Sequence, residues 1–227
     1  GGTLMVFDTT SSQVTASLTT PPVLDAQGKP EKIEYREIVV DKANNRLYLP
    51  AMSYHDSKLQ VVNLETLTVE RTIPGFNFGA TGASLDSAAG KLYVSNLMGQ
   101  LFVVDIGTLA ITDRFEVQGD QLLNLVVDHD NKRLLASRFI TPALPGESTL
   151  TPRTRGTGFR GGEVLLIDPA RATLQRTIPL AVSTLEDTPI QGRGLPNYLG
   201  AAAISPDGRS AWIPSKQDNI QRGQSRD

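Results

Sequence analysis

Cysteine is absent from the sequence. That excludes disulfides, thiolate metal sites, a cysteine nucleophile and haem attached through a C-x-x-C-H motif within these 227 residues. Histidine is scarce: His55 and His129 are the only two. Aromatic residues make up 6% of the chain, with a single tryptophan. No stretch reaches the roughly 18 consecutive apolar residues of a membrane helix, so no membrane-spanning helix is expected. The chain opens GGTLMVFD, without the basic start or apolar segment of a signal peptide, and a processed or trimmed chain is expected. A 3.6-residue apolar stripe is also missing, so long helices are not expected. The net charge of −2 gives no global attraction to nucleic acid or anionic membrane, although local patches remain.

What the sequence has is repetition. One unit recurs as DKANNRLYL (41–49), DSAAGKLYV (86–94), DHDNKRLLA (128–136) and SPDGRSAWI (205–213), aligned without gaps. An apolar segment precedes each: REIVV, GASL, LNLVV and GAAAI. A second unit recurs as VFDTTSSQVTASL (6–18), VNLETLTVERTI (62–73), VDIGTLAITDRF (104–115) and IDPARATLQRTI (167–178). From Asp8, Asn63, Asp105 and Asp168 to the closing apolar residue is ten positions each time. Each unit is a hairpin of β-branched and aromatic strands around a turn rich in Asp, Asn, Gly, Ser or Pro.

With the first unit contributing strands a and b and the second c and d, one of each makes a four-stranded antiparallel meander. Asn63 to Asp105 spans 42 residues, close to the about 40–45 of a propeller blade. The expected fold is therefore an all-β propeller of four-stranded antiparallel blades. The chain would hold a c-d hairpin at 4–18, blades at 36–73, 80–115 and 123–178, and an a-b hairpin at 200–214. The first and last hairpins are complementary halves. Either they pair and close a four-bladed ring, or the chain is a segment of a larger ring, which is the reading we prefer. Unpaired half-blades expose sheet edges, so self-association through them is expected in the second case.

The stretches NNRLYLP and GKLYVSN resemble the YVTN-repeat family of bacterial propellers, and the resemblance covers nearly the whole chain. Residues 35–137 are similar to compact, seven-bladed periplasmic members. Residues 138–223, with RFITPALPGE, GEVLLIDP and GLPNYLGAAAISPDGRSAWIPSKQDNIQRG, look more like propeller segments of larger exported proteins, some of which carry cytochrome c or haem-peroxidase-like domains. No such domain is encoded in these residues. The change near Ser137 and Arg138 reflects either divergence or a junction between equivalent blades. The resemblance implies a periplasmic or extracellular location.

Blade geometry fixes where loops fall. The a-b and c-d turns share one face and are short. The b-c and d-a connections share the other and hold the long insertions Pro50–Lys58, Phe139–Gly162 and Leu180–Leu199. Long loops carry function more often than scaffold turns do, so any ligand is expected on that looped face. The 138–162 loop has Arg138, Arg153, Arg155 and Arg160 against Glu147. Its glycines would let backbone approach an anion, so a small anionic ligand or an acidic protein surface is a candidate partner; the alternative is a solvated basic loop. Asn197, Tyr198, Lys216, Gln217, Asp218 and Asn219 could line a polar rim beside the channel, or could satisfy turn and edge backbone instead.

Other motifs carry less. Gly156-x-Gly158-x-x-Gly161 precedes a strand instead of following one, so it is no dinucleotide fingerprint. The two histidines belong to opposite faces and cannot share a metal. His55-Asp56 beside Ser53 lacks the context of a nucleophile elbow. Asp128-His129-Asp130-Asn131 is too short for a calcium loop. Tyr48, Tyr93 and Trp212 share one repeat position with Leu135 and read as inter-blade core. No catalytic residue, metal site or cofactor is assigned. The favoured function is a non-catalytic exported binding or scaffold propeller. Alternatives are a module accessory to a haem or cytochrome redox protein, a lactonase-like hydrolase, and a single-stranded DNA binder. Mild acidity and the lack of interleaved basic and aromatic residues argue against nucleic acid, while the Arg loop keeps it open.

Overall fold

The computed structural model describes residues 2–117, 122–139, 162–181 and 193–219. They form two compact units, 1–114 and 115–227. Among the described residues every regular element is a strand.

The first unit opens with β1 (Thr3–Asp8) and β2 (Gln13–Thr19), an antiparallel pair forming a two-stranded sheet. Next come β3 (Glu34–Tyr35), β4 (Val39–Asp41), β5 (Arg46–Met52), β6 (Lys58–Asn63) and β7 (Thr68–Ile73). Strand a is split here, because β3 and β4 both pair with β5, and the meander then runs β5-β6-β7. A further meander follows in the order β8 (Ala80–Asp86), β9 (Lys91–Asn96), β10 (Gln100–Asp105) and β11 (Ala110–Glu116).

The second unit repeats the plan with β12 (Leu122–Asp128), β13 (Arg133–Arg138), β14 (Glu163–Asp168) and β15 (Thr173–Pro179). Then β16 (Arg193–Asn197) pairs with β19 (Lys216–Asn219), and between them β17 (Ala203–Ile204) pairs with β18 (Ala211–Trp212). Among the described residues, three antiparallel meanders and three two-stranded sheets make up a β-propeller fold.

The recurring Asp or Asn earns its place through the turn. In each c-d turn its side-chain oxygen accepts two backbone N–H groups: Thr10 and Ser11 for Asp8, Glu65 and Thr66 for Asn63, Gly107 and Thr108 for Asp105, Ala170 and Arg171 for Asp168. Four residues beyond it, Ser12, Leu67, Leu109 and Ala172 take left-handed φ values of 56°, 49°, 54° and 53°. A left-handed residue closing such a turn is the geometry that lets a bulged hairpin keep its twist. Strand register shifts by one residue just before the turn, at Val6/Phe7, Val61/Val62 and Leu166/Ile167. The a-b turns use a related device: Asp41, Asp86 and Asp128 accept N–H from Asn44, Ala89 and Asn131, and Asn45, Gly90 and Lys132 are left-handed.

Blade faces bury the apolar repeat positions. Tyr48, Leu59, Val61, Phe76, Leu92, Val94, Phe102 and Val104 form one cluster across the two blades of the first unit. Phe76 and Phe102 meet edge to face with centroids 5.2 Å apart, a contact worth about 0.5–1.5 kcal/mol beyond its area. The Tyr48 hydroxyl donates to Asp41 at 3.2 Å. Burial, with the Asp41 charge beside it, pushes the Tyr48 phenol up to about 12. Leu4 and Leu18 of the β1–β2 hairpin pack on Leu47, Leu49 and Val62.

One sequence expectation does not hold. Trp212 was placed in the core with Tyr48 and Tyr93, which are 0% and 3% exposed, yet Trp212 is 63% exposed. Tyr48 packs in the cluster that spans the two blades of the first unit, whereas Trp212 lies in the two-stranded β17–β18 sheet and joins no core cluster among the described residues.

Candidate functional site

In the first unit the looped side is shaped by a segment that the sequence reading passed over. Between β2 and β3 the chain runs TPPVLDAQGKPEKI, residues 20–33, a d-a connection. Asp25 organises it: its Oδ1 accepts the N–H of Gln27 at 2.9 Å and of Lys29 at 2.8 Å, Gly28 turns the backbone at φ 78°, and Leu24 bridges to Pro30. The Glu31 N–H donates to the Val23 carbonyl at 2.8 Å, and Val23 is buried. The segment is pinned to the blade by polar groups. Thr20 Oγ1 and the Tyr35 hydroxyl lie 2.8 Å apart, the Tyr35 hydroxyl donates to Gln60 Oε1, and Gln60 Nε2 donates to the Pro21 carbonyl. Desolvation raises the Tyr35 phenol above its ordinary value, and Thr20 and Gln60 are buried. A part-buried network of this kind, anchored on the buried Thr20 and Gln60, ties the segment to its blade.

The facing wall is the b-c loop after β5. Ser57 Oγ accepts the N–H of Ser53 at 3.1 Å and of Ala80 at 3.0 Å, and the His55 N–H donates to Ser53 Oγ at 2.9 Å. Asp56 accepts N–H from Gly75 and Asn77 and an ammonium contact from Lys58 at 3.4 Å. Its carboxylate therefore ties two connections together. These hydrogen bonds leave the His55 and Tyr54 side chains exposed at the loop's tip.

Between the walls lies a cavity of about 500 Å³ lined by Leu24, Asp25, Gln27, Glu31, His55 and Lys58, among others. A side recess of about 220 Å³ is shared by Asp25, Glu31, Lys32, Tyr54 and His55. Glu31 Oε2 is buried and has no hydrogen-bond partner. Among the described residues no three His, Asp or Glu side chains converge as a metal site would need.

The predicted site residues belong to the second unit. Arg138 closes β13 and is 2% exposed; its Nε donates to Glu163 Oε2 at 3.2 Å, and Glu163 is 5% exposed. The guanidinium is thus a buried partner within the blade. Arg153, Arg155 and Arg160 lie outside the described residues, as does Glu147. Tyr198, at φ 50°, packs its ring edge to face on Phe139 with centroids 5.0 Å apart, and the Lys216 ammonium stands 4.8 Å from the Tyr198 ring centre. The β16–β19 pairing sets Asn197 opposite Lys216, Pro196 opposite Gln217, Leu195 opposite Asp218 and Arg193 opposite Asn219. The structure thus brings Tyr198, Lys216 and Asn197 together. The Tyr198–Lys216 contact is a cation–π pair of the kind worth about 0.5–1 kcal/mol at exposed sites.

Asp25, Glu31 and Leu24 were missed in the sequence, although a signal existed. Seventeen residues separate Leu18 from Arg36, where the other first-unit d-a connection takes Ile73 to Ala80. An insertion with three prolines stood there unread.

No known protein family matches the chain. Among curated proteins it is similar to the uncharacterized protein YncE of Salmonella typhimurium, 26% identical over 216 residues covering 88% of this chain and 60% of that protein. YncE of Escherichia coli O157:H7 is 28% identical over 141 residues, covering 59% of this chain and 38% of its own length. The chain thus spans about 60% of the length of the first of these relatives. Among solved structures, Kuenenia stuttgartiensis hydrazine synthase superposes with a TM-score of 0.55 at 18% identity, covering 85% of this chain and 48% of that one. Myxococcus xanthus glutaminyl cyclase gives 0.50 at 18% identity, covering 97% and 84%. At such identities the likeness shows the fold alone, and it is a propeller fold.

Proposed function

We propose that this chain is a binding module, exported and non-catalytic, that presents the looped side of its blades to a small ligand or a protein. The observation that carries this reading is the cavity of the first unit. Two connections of the long-loop class, 20–33 and 53–58, build opposite walls of a space of about 500 Å³, within the about 300–1,000 Å³ of small-molecule sites. Each wall is held by its own hydrogen bonds, so the space is preformed. The half-buried aromatic pair Tyr198 and Phe139 supports the same reading for the looped side of the second unit. The periplasmic or extracellular location is carried by the YVTN resemblance, and fractionation of the parent protein checks it.

A thermal-shift screen of small metabolites against the protein tests the binding role. Stabilising compounds should lose their effect in Leu24→Asp and His55→Ala, and should keep it in Asp130→Ala, a change in a tight turn on the opposite side of its blade. Ligands that respond to the turn variant and ignore the cavity variants would refute the assignment.

A further inference from the structure

The first-unit cavity also constrains the chemistry of what it holds. Asp25, Glu31 and His55 line both the larger space and the side recess, so they mark the junction of the two. The carboxylates there are not equivalent. Asp56 already takes Gly75, Asn77 and Lys58 as donors. Asp25 uses Oδ1 to build its own turn. Glu31 alone has a buried oxygen, Oε2, that accepts nothing. Native structures pair nearly all such atoms, and an unpaired one calls for a donor that is not part of the fold. The cations on the lining do not supply it: Lys58 Nζ sits on the Asp56 carboxylate and carbonyl, and Lys32 lines only the side recess.

The sign of the ligand's charge follows. An anion entering here would meet the carboxylates of Glu31 and Asp25, which both line the space. A metal ion would need a convergence of ligands that the described residues do not offer. An organic ammonium needs one carboxylate acceptor and brings its own donors. The remaining lining suits the stem of such an ion. Leu24 is 45% exposed beside the cavity, and the Tyr54 ring, 58% exposed, borders the recess where a cation can lie against it.

We propose that the cavity between the 20–33 segment and the 53–58 loop binds a small aliphatic primary ammonium ion, with the Glu31 carboxylate accepting its N–H and Leu24 covering its stem. The proposal rests on the reading of the looped side as a binding surface.

Three probes of matched length test it at constant pH: hexylammonium, hexanol and hexanoate. The readout is the NMR signal of the His55 ring, assigned with a His129→Gln variant, since the chain has two histidines. Hexylammonium should shift the His55 signal saturably, and Glu31→Gln should weaken that binding at least tenfold while circular dichroism stays that of the parent. Hexanol and hexanoate should leave the signal in place. Hexanol or hexanoate binding as tightly as hexylammonium would overturn the ammonium assignment yet leave the cavity a binding surface. Undiminished hexylammonium binding in Glu31→Gln would overturn the role of Glu31. Silence from all three probes would overturn the proposal, and the wider thermal-shift screen then decides separately whether the looped side binds anything.

Discussion

Arg138, a candidate ligand contact in the sequence, is ion-paired with Glu163 in the structure, and a double-mutant cycle can measure that pair. Its guanidinium is 2% exposed and its partner Glu163 5% exposed, with Nε and Oε2 3.2 Å apart. Arg138→Met removes one charge and leaves the other buried. Breaking a buried pair in this way costs about 3–5 kcal/mol. For a chain of this size each kcal/mol lowers Tm by about 2–4 °C, so the single variant should melt roughly 6–20 °C lower. Replacing both, as Arg138→Met with Glu163→Leu, removes the stranded charge and should recover most of the loss, because apolar side chains of similar volume substitute well for buried ion pairs. Urea denaturation followed by far-UV circular dichroism gives the cycle. Hydrogen exchange over 133–138 and 163–168 localises it to β13 and β14, in case the two units unfold separately. If Arg138→Met and the double variant were equally destabilised, or if neither moved, the guanidinium would not be acting as the Glu163 partner and the pairing argument would fail.

Three further outcomes are expected. The turn aspartates should make stability acid-sensitive: backbone N–H bonds from Ser11 and Thr10 hold Asp8 below 3.8, those from Thr108 do the same for Asp105, and for Asp128 burial pulls upward but is outweighed by Asn131 and Arg133. Depressed carboxylates contribute above their ordinary value and lose that contribution as pH falls below 3.8 through the lowered folded values. Asp105→Asn keeps the cap, as Asn63 does, and should flatten the acid slope in urea titrations at several pH values; an unchanged slope refutes the assignment. The β1 strand has Met5 63% and Phe7 56% exposed, so ultracentrifugation should show concentration-dependent association that Phe7→Lys reduces; a monomer at every concentration in the parent refutes it. Replacing Arg153, Arg155 and Arg160 together by Ser should weaken any anionic ligand at least tenfold, about 1.4 kcal/mol, and flatten its salt dependence with little change in Tm; unchanged affinity would show a solvated loop.

The fold was legible because its determinants are local and repeated. An Asp or Asn that takes two N–H groups, followed four residues later by a left-handed residue, closes a hairpin whatever lies beyond it, and this is visible in Asp8, Asn63, Asp105 and Asp168 alike. Burial was less legible. The repeat position shared by Tyr48 and Trp212 says which side chain points into a seam, but whether the seam is filled depends on side chains of another sheet, which Tyr48 has in the cluster across its two blades and the 63% exposed Trp212 does not.

The site was least legible for the same physical reason. Face assignment needs only the alternation of turns and connections, so the looped side could be read from spacing. A cavity needs two connections to meet, and Glu31 and His55 are brought to one space by hydrogen bonds that have no sequence period: Gln60 to Pro21, Ser57 to Ala80, Asp56 to Asn77. Each of those bonds joins residues about twenty or more positions apart. The Arg loop drew attention because its charge stands out in the sequence, whereas the unpaired oxygen of Glu31 is a property of packing and appears only when the insertion is folded onto its blade. Charge density along a chain marks where an ion could go; a buried acceptor without a donor marks where the fold itself is incomplete, and that difference is why the proposal for the first unit rests on Glu31 and not on a run of charge.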